Sequence, residues 1–348
     1  MISGTINRKI KRYYNRIIDN EFHDAHRKQV TSILNAVEIQ KGKLSKVLYN
    51  QCDEYAITVL GNIKYAPWLY VYSAISEEFK VGWIPDNYYA SVVLPVISGG
   101  YAEPSDLKSL SKTLLNSNHI PDILYFVNGH YIAVDSKEIL SKERASIELF
   151  SKNENVIFKP DQSQQGIGIK FLNKQDFINS APKINGVFQS IIKQHDFFNS
   201  ICNNSVATLR VTTLIDNEGK CSVRAVYLRV GRNNDSHVKS STHIRIPVDI
   251  VTGRLSNKGF LTNWNTITEH PDTHFKFNGT IPEFQKCCEL AVNNHLKYPF
   301  VRCIGWDMII DINNHVNIME WNAGHNDIKF SEATQGPCFI DMKWESLK

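Results

Sequence analysis

The residues with the clearest chemical potential lie late in the chain. They are Cys303-Ile304-Gly305-Trp306-Asp307-Met308-Ile309-Ile310-Asp311-Ile312, then Asn313-Asn314, then His315-Val316-Asn317-Ile318-Met319-Glu320-Trp321-Asn322. Two β-rich runs joined by paired asparagines predict a hairpin with a tight primed turn, because Asn tolerates the left-handed conformation. That register sets Asp307 opposite Glu320 and Gly305 opposite Asn322. The period of two then gathers Asp307, Glu320 and Asn322 on one face and Trp306, Met308, Met319 and Trp321 on the other, which we expect to be core. Opposed carboxylates repel, so the pair calls for a shared proton or a bound cation. Oxygen-only ligands beside an amide suit a hard ion such as magnesium, typically delivered with nucleotide phosphates. The bland reading of the same residues is two half-exposed acids on a solvated strand face.

A second segment, Val156-Ile157-Phe158-Lys159-Pro160-Asp161-Gln162-Ser163-Gln164-Gln165-Gly166-Ile167-Gly168, delivers a lysine at the end of a strand. Pro160 holds that lysine extended. Gly166 and Gly168 let backbone N–H groups approach an anion closely, so the loop could clamp phosphates. It is neither the Walker loop nor the three-glycine dinucleotide fingerprint, and Gly-x-Gly in a plain hairpin turn is the competing reading.

These residues need elements to carry them. From Ile6 to about Leu48, apolar residues recur every three or four positions with few breakers before Gly42, which predicts a helical leader. Strands Ile123–Val127 and Tyr131–Val134 flank Asn128-Gly129-His130, a hairpin signal. Ser105–Leu115 and Ile281–Leu296 read as helices, and short strands dominate from Val156 onward. The 348 residues are 42% hydrophobic, enough for a sizeable core and against disorder or coiled coil. The net charge of +4 is too small to advertise a nucleic-acid surface, so any anion site must be local. Seven scattered cysteines suit reduced thiols in the cytoplasm. No apolar run reaches bilayer length, although Lys9, Lys11, Arg12 and Arg16 leave peripheral membrane contact open.

A strand ending in Lys159-Pro160, a glycine loop and a late Asp307…Glu320-x-Asn322 hairpin occur in the order and spacing of the ATP-grasp superfamily. Ile304-Gly305-Trp306-Asp307 followed by Glu320-Trp321-Asn322-Ala323-Gly324 resembles the sugar-transfer-associated ATP-grasp family, a likeness covering roughly residues 80 to 335. The resemblance implies an α+β fold in which antiparallel sheets clamp a nucleotide, preceded by the helical leader. The implied organisation is a leader at 1–50, an N-terminal α/β region at 51–155, a small subdomain at 156–200 with the phosphate loop and adenine hinge, and a metal-bearing subdomain at 201–348.

The same resemblance assigns ATP and Mg2+ as cofactors. Gln189, Ser190, Ile191 and Ile192 become the hinge along adenine, with His195 within reach of ribose. Ser163, Gln165, Gly166 and Gly168 line the phosphate loop, and Lys159 and Arg210 face the phosphates. Lys112 is the earlier nucleotide lysine, with Lys108 competing for that role. Asp307, Glu320 and Asn322 are the implied metal ligands, and Arg210, Lys159 and Arg229 the catalytic candidates. Such proteins pass a γ-phosphoryl group to a carboxylate, and an amine then attacks the acyl phosphate. Here that suggests an amide between a hexuronic acid of a surface polysaccharide and an amine or amino acid, with Arg229, Arg232, His243 and Arg245 as candidates for the acceptor carboxylate. Two alternatives stand beside it: a phosphotransferase acting on a sugar hydroxyl through Asp311, His237 or His243, and a non-catalytic carbohydrate- or nucleotide-binding module. The sequence departs from the family in the polar stretch Ser236–His243, and in having Asn322-Ala323-Gly324 where the family more often has proline before glycine.

Overall fold

The computed structural model describes residues 2–163, 167–180, 182–232 and 242–347, with backbone alone over 2–17. The chain forms two compact units. The first comprises Met1–Val93, Asn263–Asn265 and Asp327–Lys348; the second comprises Leu94–Thr262 and Thr266–Asn326.

The first unit is helical. The leader helix runs Ile2–Lys41 and breaks at Gly42, whose φ of 96° leaves the helical region. A second helix, Lys46–Thr58, starts where the Ser45 side chain accepts a hydrogen bond from the Leu48 amide. Val30, Ile33, Leu34 and Val37 form the leader's buried stripe, and the leader packs on Ala66–Ser76. The helix Lys329–Gln335 packs on the same element. Its buried Glu332 accepts from the backbone amides of Ile84 (2.8 Å) and Cys338 (2.7 Å), and Lys329 pairs with Asp86 and Asp327. The expected 201–348 subdomain is corrected accordingly: its last residues complete the unit that holds the leader, because polar groups at Ile84 and Asp86 have their partners there.

The second unit contains two antiparallel sheets. The first sheet is built from β1 (Asp122–Val127), β2 (His130–Ala133), β3 (Ile139–Leu140), β4 (Asn155–Pro160), β5 (Lys170–Asn173) and β6 (Gly186–Ser190), in the order β3-β2-β1-β6-β4-β5. The β1–β2 turn is Asn128-Gly129, both with positive φ, as the hairpin signal requires. The expected boundary between 155 and 156 is therefore also corrected. The sheet begins at Asp122, because β6 hydrogen-bonds to β1 on one side and β4 on the other. One face, with Leu124, Phe126, Phe158 and Phe188, is covered by the helices Lys142–Phe150 and Lys174–Asn179. The other carries Tyr125, Val187, Gln189 and Lys159.

The second sheet comprises β7 (Thr208–Ile215), β8 (Cys221–Val230), β9 (Ile244–Val248), β10 (Gly259–Phe260), β11 (Thr266–Ile267), β12 (Cys303–Ile310) and β13 (Val316–Asn322), in the order β11-β10-β9-β8-β7-β12-β13. The helix Phe284–Lys297 packs against its apolar face, where Ile304, Trp306, Met308 and Trp321 lie buried. The expected helix over Ser105–Leu115 is instead 3-10 turns at Gly99–Asp106 and Lys108–Leu110 followed by a short helix, Ser111–Leu115. Its backbone and side chains are drawn out of helical pairing by partners elsewhere. Asp106 accepts from the Gln162 amide, and Ser109 donates both N–H and O–H to Asp161.

Candidate active site

Strand β12 pairs with β13 in the expected register where the chemistry lies, Asp307 opposite Glu320 and Gly305 opposite Asn322. The turn differs from the two-residue expectation. Asp311 Oδ1 accepts from the amides of Asn313 and His315, Asn314 takes a φ of 65°, and the loop is one residue longer. A β-bulge between Asp307 and Met308 absorbs that residue and restores the pairing. Ile318 consequently takes the core position expected for Met319, while Trp306 and Trp321 stack inside as expected, ring centres 6.3 Å apart.

Asp307 is 5% exposed and sits among cations. Arg210, directly opposite on β7, grips it bidentately at 2.6 and 3.1 Å, and Arg229 on β8 reaches the same carboxylate at 2.5 Å. Burial on its own would raise this carboxyl, but the two guanidiniums outweigh it and hold it well below the usual carboxylate range. Gly305 leaves the space Arg210 needs: a Cβ there would lie 3.2 Å from the Arg210 Cδ and Nη1 atoms. Arg210 also donates to the Asn326 carbonyl at 2.9 Å.

Lys159 on β4 is 9% exposed and faces this cluster from the first sheet. Burial depresses its ammonium, opposed by the nearby charges of Glu320, Asp122 and Asp307. Glu320 is paired with Lys108 (3.1 Å), which also donates to the Ser163 carbonyl (2.7 Å). Lys112, the expected nucleotide lysine, lies 3.7 Å from the exposed Asp135, whereas Lys108 ties Ser163, just after β4, to the acidic hairpin.

The remaining assignments divide. Ser163 turns its hydroxyl onto the Pro160 carbonyl, and Gly168 has a φ of 80° just before β5. Gln165 and Gly166 lie outside the described residues, as do Ser236 and His237. Gln189 and Ser190 end β6, and Ile191 and Ile192 follow it. His195 caps the helix Asp196–Ile201 through Nδ1, which leaves only Nε2 for a ligand. Arg245 lies opposite Arg229 on β9, whereas Arg232 is held by Asp272 (2.5 Å). Asn322 donates to the Gly305 carbonyl (3.2 Å).

Among the described residues no group of three His, Cys, Asp or Glu side chains could hold a metal by itself. Glu320 and Asn322 provide hard oxygen donors on one strand, with Asp307 opposite but shared with two guanidiniums. That donor set fits a magnesium ion whose other ligands arrive on a phosphate chain, the mode in which few protein carboxylates are needed.

Two antiparallel sheets thus present Lys159 on one side and Arg210, Arg229, Asp307 and Glu320 on the other. The model of the family described as sugar-transfer associated ATP-grasp matches residues 180–341 of this chain. A search of curated proteins gives no match. Solved structures it resembles include biotin carboxylase from Campylobacter jejuni (12% identity, 92% of this chain and 69% of that one, TM-score 0.46). Others are the D-alanine-D-alanine ligase from Coxiella burnetii (12%, 75% and 58%, 0.39) and the ATP-grasp ligase PsnB with its minimal precursor (13%, 66% and 55%, 0.38). The chain thus spans little more than half the length of the latter two. Among the described residues no helix is long and apolar enough to cross a membrane.

Proposed function

We propose that the chain is an ATP- and magnesium-dependent carboxylate–amine ligase joining an amine or amino acid to a hexuronic acid of a bacterial surface polysaccharide or its precursor. The observation that carries this reading is the convergence, within one unit, of Lys159 and Lys108 with Glu320 and of Arg210 and Arg229 with Asp307. Such a site has no need of a protein nucleophile; it needs fixed positive charge where negative charge accumulates on transferring oxygens. Lys159, Lys108 and Arg210 provide it around the triphosphate. Arg229, with Arg245 opposite it, holds the acceptor carboxylate, whose oxygen attacks the γ-phosphorus as the bond to the β-phosphate oxygen breaks and ADP leaves. The amine then attacks the acyl carbon and expels phosphate, its proton passing to solvent. Glu320, Asn322 and Asp307 would hold magnesium, which supplies neutralising charge to the phosphate oxygens.

Asp311, the acid available to a hydroxyl-directed phosphotransferase, is engaged by the turn amides of Asn313 and His315, which favours the ligase. The test is twofold. Nucleotide binding with and without magnesium is measured for wild type, Lys159→Ala and Glu320→Ala, with both variants expected to bind at least about tenfold more weakly. Mass spectrometry of products with uronic acids and amines is expected to show an amide together with ADP and free phosphate. Phosphate retained on the sugar, or binding indifferent to both substitutions, refutes the reading.

A further inference from the structure

The apolar stripe of the leader helix Ile2–Lys41 changes face part-way along its length. At about 100° per residue, the stripe that packs on Ala66–Ser76, formed by Val30, Ile33, Leu34 and Val37, falls within an arc of about 100°. Ile2, Ile6, Ile10, Tyr13 and Ile17 share an arc of about 80°, but its centre lies about 130° round the helix from the packed one. A helix with a single apolar partner keeps one stripe throughout. This helix carries two, out of phase.

The charge pattern breaks at the same place. Arg8, Lys9, Lys11, Arg12 and Arg16 are the only formally charged side chains between Ile2 and Ile17, and they occupy an arc of about 160° on the side that the isoleucines leave. Acids return at Asp19, Glu21 and Asp24. There Asp19 pairs with Lys64 (3.0 Å), and His26 accepts from the Trp68 indole N–H (3.0 Å). The displaced stripe and the acid-free basic arc are thus one stretch of sequence, about 24 Å long as a helix, that ends where the packing of the first unit starts.

The combination discriminates between occupants. A nucleic acid would engage the basic arc and have no use for four isoleucines on the other side. A second copy of the segment would cover the isoleucines but bring five more cations and no carboxylate to pair with them. An anionic bilayer surface meets both arcs, because apolar side chains enter the boundary between headgroups and acyl chains while cations stay with the headgroup phosphates. Tyrosine suits that same depth, and Tyr13 and Tyr14 supply it. The segment carries too many cations to cross the bilayer. We propose that residues 2–17 lie in the plane of an anionic phospholipid surface and hold the protein there. The proposal is independent of the nucleotide reading of the second unit.

The experiment is co-sedimentation of the full chain with vesicles of phosphatidylcholine, alone or with about 30% phosphatidylglycerol, in about 0.1 M salt. Wild type is compared with Ile6→Asn/Ile10→Asn and with Lys9→Gln/Lys11→Gln/Arg12→Gln, all outside the packed stripe, and unchanged thermal unfolding establishes that each variant is folded. Wild type is expected to bind the anionic vesicles at least about tenfold more tightly than the neutral ones, and to lose that preference in about 0.5 M salt. The triple variant should bind about a hundredfold more weakly, at about fivefold per cation, and the double variant at least about tenfold more weakly. Absence of binding, or equal binding to both vesicles, overturns the proposal. So does a double variant that binds like wild type, since the segment would then be a general polyanion patch with no apolar docking. A wild type that dimerises in ultracentrifugation and ignores vesicles, while the double variant is monomeric, assigns the stripe to a second copy and equally overturns it.

Discussion

Replacing Asp307 by asparagine should destabilise the second unit by about 3–5 kcal/mol, the range for removing one partner from a buried ion pair and leaving the rest uncompensated. Here the uncompensated charges are two guanidiniums, Arg210 at 7% and Arg229 at 18% side-chain exposure, both within 3.1 Å of the lost carboxylate. Arg229→Gln should cost less, about 1–2 kcal/mol, because Asp307 retains its bidentate Arg210 and the lost bond is partly solvated. In the double variant one of the stranded cations is gone, so the two losses should fall short of additive by about 1–2 kcal/mol. Urea unfolding followed by tryptophan fluorescence, with hydrogen exchange over residues 303–310 assigning the transition, measures all three. The acid limb offers a second readout. A carboxylate held low in the folded state contributes stability that is full above its unfolded value of about 3.9 and is lost as pH falls through the folded value. Wild type should therefore lose stability below pH ~4 where Asp307→Asn loses less. Additivity within about 0.5 kcal/mol would refute the reasoning, since it would mean the three groups do not share one desolvated charge cluster.

Three further outcomes follow from the geometry. Asp122 has the opposite sign to Asp307: its carboxyl is raised to about 6 in the fold, so its favourable contribution is complete below about 4 and lost as pH rises through about 6. Asp122→Asn should gain up to about 3 kcal/mol relative to wild type between pH 4 and 7, and parallel stability profiles for the two proteins would count against the buried placement. Gly186→Ala should destabilise by about 1–3 kcal/mol and weaken nucleotide binding, because the new Cβ would lie 2.4 Å from the Lys159 carbonyl oxygen, a backbone atom that cannot rotate away. Ser109→Ala removes the 2.7 Å bond to Asp161 just after β4; a loss of about 1 kcal/mol with weaker ADP binding is expected, and unchanged affinity would separate that bond from the proposed site.

Local patterns were legible from the chain alone. Alternation around Asp307 and Glu320 placed the acids on one face and Trp306 and Trp321 in the core, because a side-chain period of two needs only the strand itself. Asn128-Gly129 announced its turn by the conformations those residues permit. The family likeness rested on motifs of the same kind, the Gly305-x-Asp307 and Glu320-x-Asn322 pairs. What no local pattern could express was compensation and partnership at a distance. The longer turn at Asp311–His315 and the bulge after Asp307 cancel, so a register derived from the wrong turn was still right at the site.

Tertiary structure alone decided the rest. Whether Lys108 or Lys112 meets Glu320 depends on how a 3-10 segment is tied to a loop more than fifty residues away, through bonds that helical periodicity does not encode. Asp122 carried no motif; a single bulged residue, stabilised by strands separated widely in sequence, moved it from a hydrophobic layer to the polar face. The sequence offered Asp307 only as a metal-binding carboxylate; folding also sets two guanidiniums against it, because charge in a low-dielectric interior is governed by what lies within a few ångströms in space and not by neighbours along the chain.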